Sequence, residues 1–349
     1  MNAPRLRTRK LDIKTGRVDL SHGSGGRAMA QLIGEIFHKA FANDLLAQGN
    51  DQAVFDMPAG RLAMTTDGYV VSPLFFPGGD IGSLAVHGTI NDLAMAGARP
   101  LHLSASFILE EGFALSELQR IAHSMGAAAQ AAGVKIVAGD TKVVERGKAD
   151  GVFISTAGIG IVPEGIHLSG ERARPGDAIL VSGSIGDHGV AIMSSRENLQ
   201  FETQILSDSA ALHGLVADMV AACGSSLRLM RDPTRGGLAA TLNEIAHQSG
   251  VGVRIEEDAL PVKKQVAAAC ELLGLDPLFV ANEGKLVAFV APEAAQKLLA
   301  AMRAHELGRD AAIIGQVVED EQNFVQMATS FGGDRIVDWL SGEQLPRIC

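Results

Sequence analysis

Cysteine is scarce in this sequence: Cys223, Cys270 and Cys349 are the only three. They are too few and too far apart for a disulfide framework or for a zinc site with CxxC spacing. Aromatic residues make up 4% of the chain, with one tryptophan and one tyrosine, so the interior has to be built from Ala, Val, Leu and Ile. Long hydrophobic runs are also missing. The stretch from Val152 to Val162 is interrupted by Ser155, Gly158 and Gly160 and falls well short of the roughly 20 residues that cross a bilayer. At the N-terminus Arg5, Arg7, Arg9 and Lys10 imitate the start of a secretion signal, but Leu11 to Leu20 carries charges where an apolar segment should follow. The expectation is a cytoplasmic protein with no membrane segment. Surplus positive charge is lacking too. The net charge of −10 repels a polyphosphate backbone, which argues against a nucleic-acid partner. A single nucleotide remains possible, because carboxylates can hold magnesium between themselves and its phosphates.

What is plentiful is small and apolar: 40 glycines and 47% hydrophobic residues in 349, a length that suits two α/β domains. A polar, Gly-rich lead occupies 1–44. In the unit 45–163, two strands, Ala53 to Met57 and Leu62 to Thr66, read as a hairpin around Pro58-Ala59-Gly60. Helical spacing follows from Asp80 to Ala98, closed by Gly97 and Pro100. A strand (Leu101 to Leu109), a helix (Leu115 to Ala132) and strands near 134–144 and 152–161 complete this unit. The turn cluster Arg174-Pro175-Gly176-Asp177 opens a second unit, 164–335, in which helices and strands alternate from Ala178 to Val318. Both units are expected to be mixed two-layer α/β sandwiches. The segment 336–349 reads as a short helix, Ile336 to Leu340, carrying Trp339, and then a mobile tail that ends in Cys349.

Several residues carry chemistry in more than one reading. Asp51, Asp67, Asp92 and Asp140 each sit at an apparent strand end, in a turn or on a helix. They suit a metal–nucleotide site, and equally suit turns and caps. His22-Gly23-Ser24-Gly25-Gly26 precedes a helical pattern (Met29, Ile33, Ile36, Phe37), so its N–H groups can meet phosphate oxygens. It matches neither GxxxxGK[ST] nor GxGxxG, and a flexible linker is an equal alternative. Asp232-Pro233-Thr234-Arg235-Gly236-Gly237 is a similar turn, or a helix N-cap at Asp232 or Thr234. Asn282-Glu283-Gly284-Lys285 is a charged cluster between apolar runs, or a surface hairpin turn. Cys349 is either incidental or a carrier. Arg347 favours a thiolate, Pro346 stiffens the approach, and the residues beyond Ser341 span about 25–30 Å when extended.

Together these segments, with Leu74-Phe75-Phe76-Pro77-Gly78-Gly79, Gly139-Asp140-Thr141-Lys142-Val143-Val144, Ser182-Gly183-Ser184-Ile185-Gly186-Asp187-His188-Gly189 and the terminal Pro346-Arg347-Ile348-Cys349, resemble the HypE family of carbamoyl dehydratases. That family lies in the superfamily of aminoimidazole ribonucleotide synthetase, selenophosphate synthetase and thiamine-phosphate kinase. The match spans nearly the whole chain, and the terminal tetrapeptide is its most specific part. The resemblance implies two α/β domains of the aminoimidazole ribonucleotide synthetase type. It implies ATP and Mg2+ held by Asp51, Asp67, Asp92 and Asp232 with Asn91, Asp140 and Thr141, under a lead formed by His22 to Gly26. It also implies a homodimer paired through the N-terminal sheets. The carbamoyltransferase HypF would load Cys349, ATP would drive dehydration to a thiocyanate with Glu283 as base and Lys142 steadying charge or sharing in proton transfer, and the cyanide would pass to a HypC–HypD iron complex for [NiFe]-hydrogenase. Selenophosphate synthetases carry Cys or selenocysteine in the Gly-rich lead, whereas Ser21 to Gly26 has none. Another ATP-using superfamily member and a non-catalytic, nucleotide-gated scaffold are the rival readings.

Overall fold

The computed structural model of the chain describes residues 10–50, 52–197, 204–339, 342 and 345–349. The lead is helical. α1 (Gly26–Leu32) continues through a π turn, Ile33–Phe37, into α2 (His38–Ala40), and Gly25 and Gly26 take positive φ at its start, a conformation that favours glycine. β1 (Arg61–Tyr69) and the short pair β2 (Phe75–Phe76) and β3 (Gly79–Asp80) lead into α3 (Ile81–Met95), β4 (Arg99–Glu110), α4 (Leu115–Ala131), β5 (Lys135–Val144) and β6 (Val152–Val162). The main sheet has the order β1-β6-β4-β5. Alternation along β4 decides its faces: Leu103, Ala105, Phe107 and Leu109 are buried, while Ile108 on the opposite face is 41% exposed. α3 starts at a capping box made by Asp80 and Ser83. It is buried nearly all round because it packs on the sheet and also on a helix of the second unit.

The hairpin expected at Ala53 to Met57 does not form. Residues 53–58 carry no strand, and β1 pairs with β6, more than eighty residues later. Val54 is 68% exposed, so extending this segment would bury too little apolar surface to offset the ordering cost.

The second unit contains β7 (Ala178–Val181), α5 (Asp187–Arg196), α6 (His213–Cys223), β8 (Leu227–Arg231), α7 (Gly237–Ser249), β9 (Gly252–Glu256), α8 (Lys264–Leu273), β10 (Val287–Val290), α9 (Ala295–Ala304), β11 (Ala312–Val318), β12 (Val325–Ala328) and β13 (Asp334–Ile336). Its sheet runs β13-β12-β9-β11-β7-β10-β8. Every residue of β7 and β10 is buried. Ile179 and Val181 join a core with α7, and Ala178 and Leu180 join one with α6 and α9. Helices therefore cover both faces of this sheet, which explains the unbroken apolar runs and goes beyond a two-layer sandwich.

The helix expected at Ile336 to Leu340 is also absent. Ile336 ends β13, which pairs with β12, and Val337 N–H donates to the Val325 carbonyl at 2.8 Å. Val337 is buried and Trp339 adopts no helix, while Leu340 lies outside the described residues. Two β-branched residues beside an open strand edge favour pairing over a single helical turn. Among the described residues no helix is long and apolar enough to cross a membrane.

Candidate active site

Acidic side chains from both units meet at the seam between them. Asp67 lies on the helix-facing side of β1. Asp92, on α3, accepts a hydrogen bond from Thr65 Oγ1 at 2.7 Å. Burial, followed by the charge of Asp67, raises its pKa. Asp232 follows β8, and burial together with Asp92 and Asp67 pushes its carboxyl up to about 7. Glu283 is raised well above the usual carboxylate range, first by burial and then by Asp232, Asp208, Asp67 and Asp92. Burial, and then mutual repulsion, raises the proton affinity of Asp92, Asp232 and Glu283. Asp51 lies outside the described residues. Among those described, no group of three Asp, Glu, His or Cys side chains is arranged to hold a metal alone. The donors that do gather are hard oxygens, with Glu283 Oε1 buried and unpartnered. This set fits magnesium, which takes one or two carboxylates and completes its shell with water and phosphate.

Neither plain reading of the two polar motifs survives. Gly236, with positive φ, precedes α7 with no side-chain cap, so neither Asp232 nor Thr234 is its N-cap. Asn282-Glu283-Gly284-Lys285 is no surface turn either. Asn282 is fully buried; its Oδ1 accepts from Gly186 N–H at 2.7 Å, and its Nδ2 donates to the carbonyls of Pro233 and Val280 at 3.0 Å. Glu283, 3% exposed, donates its N–H to Asp208 Oδ1 at 3.0 Å, and Lys285 pairs with Asp208 at 3.3 Å. Gly284 is required here, since a Cβ would stand 1.7 Å from the Asp208 carbonyl oxygen. Asn91 spends its amide on the second unit. It donates to the carbonyls of Glu283 and Ala210 at 3.0 Å and accepts from Leu212 N–H at 2.8 Å. Asn91 thus fixes the backbone that carries Glu283 and does not face open space.

The tail, expected to be free, is seated against the body. Ile348 is 3% exposed and belongs to the N-terminal core. The Cys349 terminal carboxylate accepts from Val70 N–H at 3.0 Å, and the Arg347 carbonyl from Ser72 N–H at 3.2 Å. Cys349 lines a cavity of about 530 Å³ with Gly68, Val70, Arg235, Gly236 and Phe279. Arg347 does not activate the thiol. Its guanidinium pairs with Asp150 and donates to the Val70 carbonyl. Burial and the negative charge of Glu283 push the thiol up to about 12, with Arg235 opposing them. The docked sulfur is a protonated thiol.

The other sequence candidates lie elsewhere. Register places Gly68, Ser155, Ser106 and Asp140 in one row across the sheet, so Asp140 shares the open face with Gly68 while Asp67 faces the helices. Three strand spacings, about 14 Å, separate these edges. Lys142 is on the open face as well, paired with Asp140 Oδ2 at 2.6 Å, which holds the Asp140 carboxyl below its ordinary range. Within one chain neither reaches the thiol. The glycine lead lies over this far edge: a Cβ at Gly23 would stand 2.5 Å from Val143 N. His22 is buried and accepts from Asp19 N–H at 3.0 Å. A second cavity of about 750 Å³, lined by Met29, Ile33, Phe37, Phe107, Asp140 and Thr141 among others, has a size and a mixed apolar and polar lining that suit a nucleoside.

Sequence reasoning did not single out Asp208, Arg235, His188 or Arg196. Arg235 and His188 fall inside quoted motifs, which was the available signal. Asp208 and Arg196 act on partners far away in the chain.

The AIR synthase related protein N-terminal domain model matches residues 49–162, and the corresponding C-terminal domain model matches residues 174–328. A protein of Rhizobium leguminosarum bv. viciae named carbamoyl dehydratase HypE is 74% identical over 341 residues, which are 98% of this chain and 97% of that protein. A crystal structure of the hydrogenase maturation protein HypE in complex with ATP superposes with a TM-score of 0.91 at 51% identity, covering 95% of this chain and 99% of that one. A HypE–HypF complex gives a TM-score of 0.78 at 51% identity, with 88% and 99% covered.

Proposed function

Because this chain belongs to the HypE family of carbamoyl dehydratases, within the AIR synthase related proteins, we propose that it uses ATP to dehydrate a carbamoyl group on the Cys349 sulfur to a thiocyanate. The observation that carries this reading is the seat of Cys349, which shares a cavity with Arg235 and with Ala281, two residues before Glu283.

In this reading S–C(=O)NH2 and ATP give S–C≡N, ADP and phosphate. The carbonyl oxygen bonds to the γ-phosphorus as ADP departs. The C–O bond then breaks, the oxygen leaves within the phosphate, and the nitrogen gives up both protons to the base in turn, one ending on the phosphate and one in the medium. Glu283 is the base. It is buried, Oε1 has no partner, and an environment that raises its proton affinity makes its carboxylate a stronger acceptor. Arg235, which lines the Cys349 cavity, would steady the charge that builds on the oxygen. Asp67, Asp92 and Asp232, with Asp51, would hold magnesium, which when bound supplies positive charge to the transferring phosphoryl group. The lead at His22 to Gly26 and the cavity bordered by Asp140 and Thr141 would take the nucleotide.

A homodimer joined through the open face of the N-terminal sheet fits the 61%, 75% and 41% exposure of Leu62, Met64 and Ile108. Lys142 shares that face and would act in the partner's site, steadying charge or sharing in proton transfer. HypF is the proposed carbamoyl donor, a HypC–HypD iron complex the acceptor of cyanide, and [NiFe]-hydrogenase its destination. A lone thiol that must stay reduced belongs in the cytoplasm. Intact mass spectrometry after incubation with HypF, carbamoyl phosphate and ATP tests the reading. The C-terminal peptide should gain one carbamoyl group and then lose one water. A peptide of unchanged mass would overturn the assignment.

A further inference from the structure

The proposed reaction needs the sulfur brought to a fixed place, and the hydrogen bonds around the tail converge on one helix. On α5, His188 is fully buried. Its Nε2 is 2.8 Å from the Ile348 carbonyl, and its Nδ1 is 2.8 Å from Ser207 Oγ. A neutral ring that donates from Nε2 and accepts at Nδ1 satisfies both partners. Two turns further along, Arg196 Nη1 donates to the Pro346 carbonyl at 2.8 Å and Nη2 to the Arg347 carbonyl at 2.9 Å, while Nε and Nη2 also hold the Ser72 carbonyl. Three consecutive tail carbonyls, those of Pro346, Arg347 and Ile348, are therefore held by two side chains of a single helix.

The same helix is locked to the segment that carries Glu283. Gly186 N–H, at its start, donates to Asn282 Oδ1 at 2.7 Å, and Gly189 N–H donates to the Ala281 carbonyl at 3.0 Å. A Cβ on Gly189 would stand 2.4 Å from Val280 Cγ1 and 3.4 Å from Leu345 Cδ1, so glycine lets α5 lie directly between Val280-Ala281 and the tail. The segment Gly186-Asp187-His188-Gly189 thus has a physical role: it joins the tail seat to the base through one rigid element.

We propose that His188 and Arg196 are positioning residues that latch the tail by its backbone and set the Cys349 sulfur against Glu283. The latch rests on the function proposed above, and thiol exposure tests it apart from any turnover. In the full-length protein, Arg196→Ala should raise the rate at which iodoacetamide alkylates Cys349, followed on the C-terminal peptide, by at least about tenfold, as expected when charge-assisted hydrogen bonds are lost. In single turnovers begun from the carbamoylated protein, the same variant should slow water loss at least about tenfold, while loading by HypF stays level or quickens. His188→Leu should behave alike, and His188→Gln, which keeps a donor near Nε2, should restore most of both rates. If Arg196→Ala lowers the Tm, Arg196→Lys, which keeps the cation without the fork, should give an intermediate alkylation rate at the wild-type Tm. Unchanged alkylation in Arg196→Ala and His188→Leu overturns the latch. Faster alkylation with undiminished water loss overturns its positioning role. If alkylation follows the expected order but wild-type protein forms no thiocyanate, the dehydratase reading fails and the latch stands.

Discussion

Replacing Ile348 with alanine removes three buried carbons from a side chain that is 3% exposed inside the N-terminal core. At about 0.8 kcal/mol per carbon, the seated tail loses about 2.4 kcal/mol relative to the released one. A void left around the seated alanine adds to this loss, so the figure is a lower bound. With tenfold for each 1.4 kcal/mol, the released fraction should rise at least about 50-fold, and Ile348→Val, one carbon shorter, should raise it at least about fourfold. Alkylation of Cys349 measures that fraction when the reagent is dilute enough for reseating to outrun modification. The seated thiol, pushed up to about 12, contributes almost no thiolate at neutral pH. A synthetic peptide ending in Leu345-Pro346-Arg347-Ile348-Cys349 sets the ceiling. The order wild type, valine, alanine, spaced by at least these factors below that ceiling, is the expected outcome. Equal rates for wild type and Ile348→Ala would refute the reasoning, since they would mean that burial of Ile348 does not hold the tail.

Glu283→Gln should retain ATP binding and accept a carbamoyl group on Cys349, yet lower thiocyanate formation about 10²–10⁴-fold, the usual worth of a general base; wild-type product yield by mass spectrometry would remove Glu283 from that role. The pH dependence of seating follows from the thiol, which is raised from 9.0 to about 12 when docked. A raised value means that the contribution is complete below pH 9 and is lost as pH climbs toward 12, so protection of Cys349 relative to the free peptide should fall about fivefold between pH 9 and 10. Protection that is flat across this interval would place the docked thiol close to its ordinary value.

Much of the fold was legible because it rests on local periodicity. The helices 81–95 and 115–131 and the strands of both units follow apolar spacing that their own residues declare. The failures share a cause. Whether Ala53 to Met57 is a strand depends on β6, a hundred residues away, which takes the edge of β1 by itself. β12 and the edge strand β13 are short and lie in a stretch broken by Gly332 and Gly333, with too few residues to show alternation, and β13 took residues read as a helix. The candidate site was legible as a set of residue types but not as a place. No spacing rule reveals that Glu283 is buried while Lys142 is exposed, or that Asp67 and Asp140 look out from opposite faces of one sheet. Those facts come from register and from the seam between the units. His188 and Arg196 escaped because they bind carbonyl oxygens, which every residue possesses and no sequence displays.

In the proposed reaction, that choice of partner has a consequence for the order of events on the tail. Carbonyl oxygens are the same whether the terminal sulfur bears hydrogen, a carbamoyl group or a cyano group. A hold built on them is blind to the cargo: it welcomes the unloaded, loaded and finished arms on equal terms. Completion of the chemistry therefore gives the arm no reason to leave. The direction of traffic, from loading to delivery, has to be imposed from outside the seat, by whatever competes for the tail once the nucleotide has been spent.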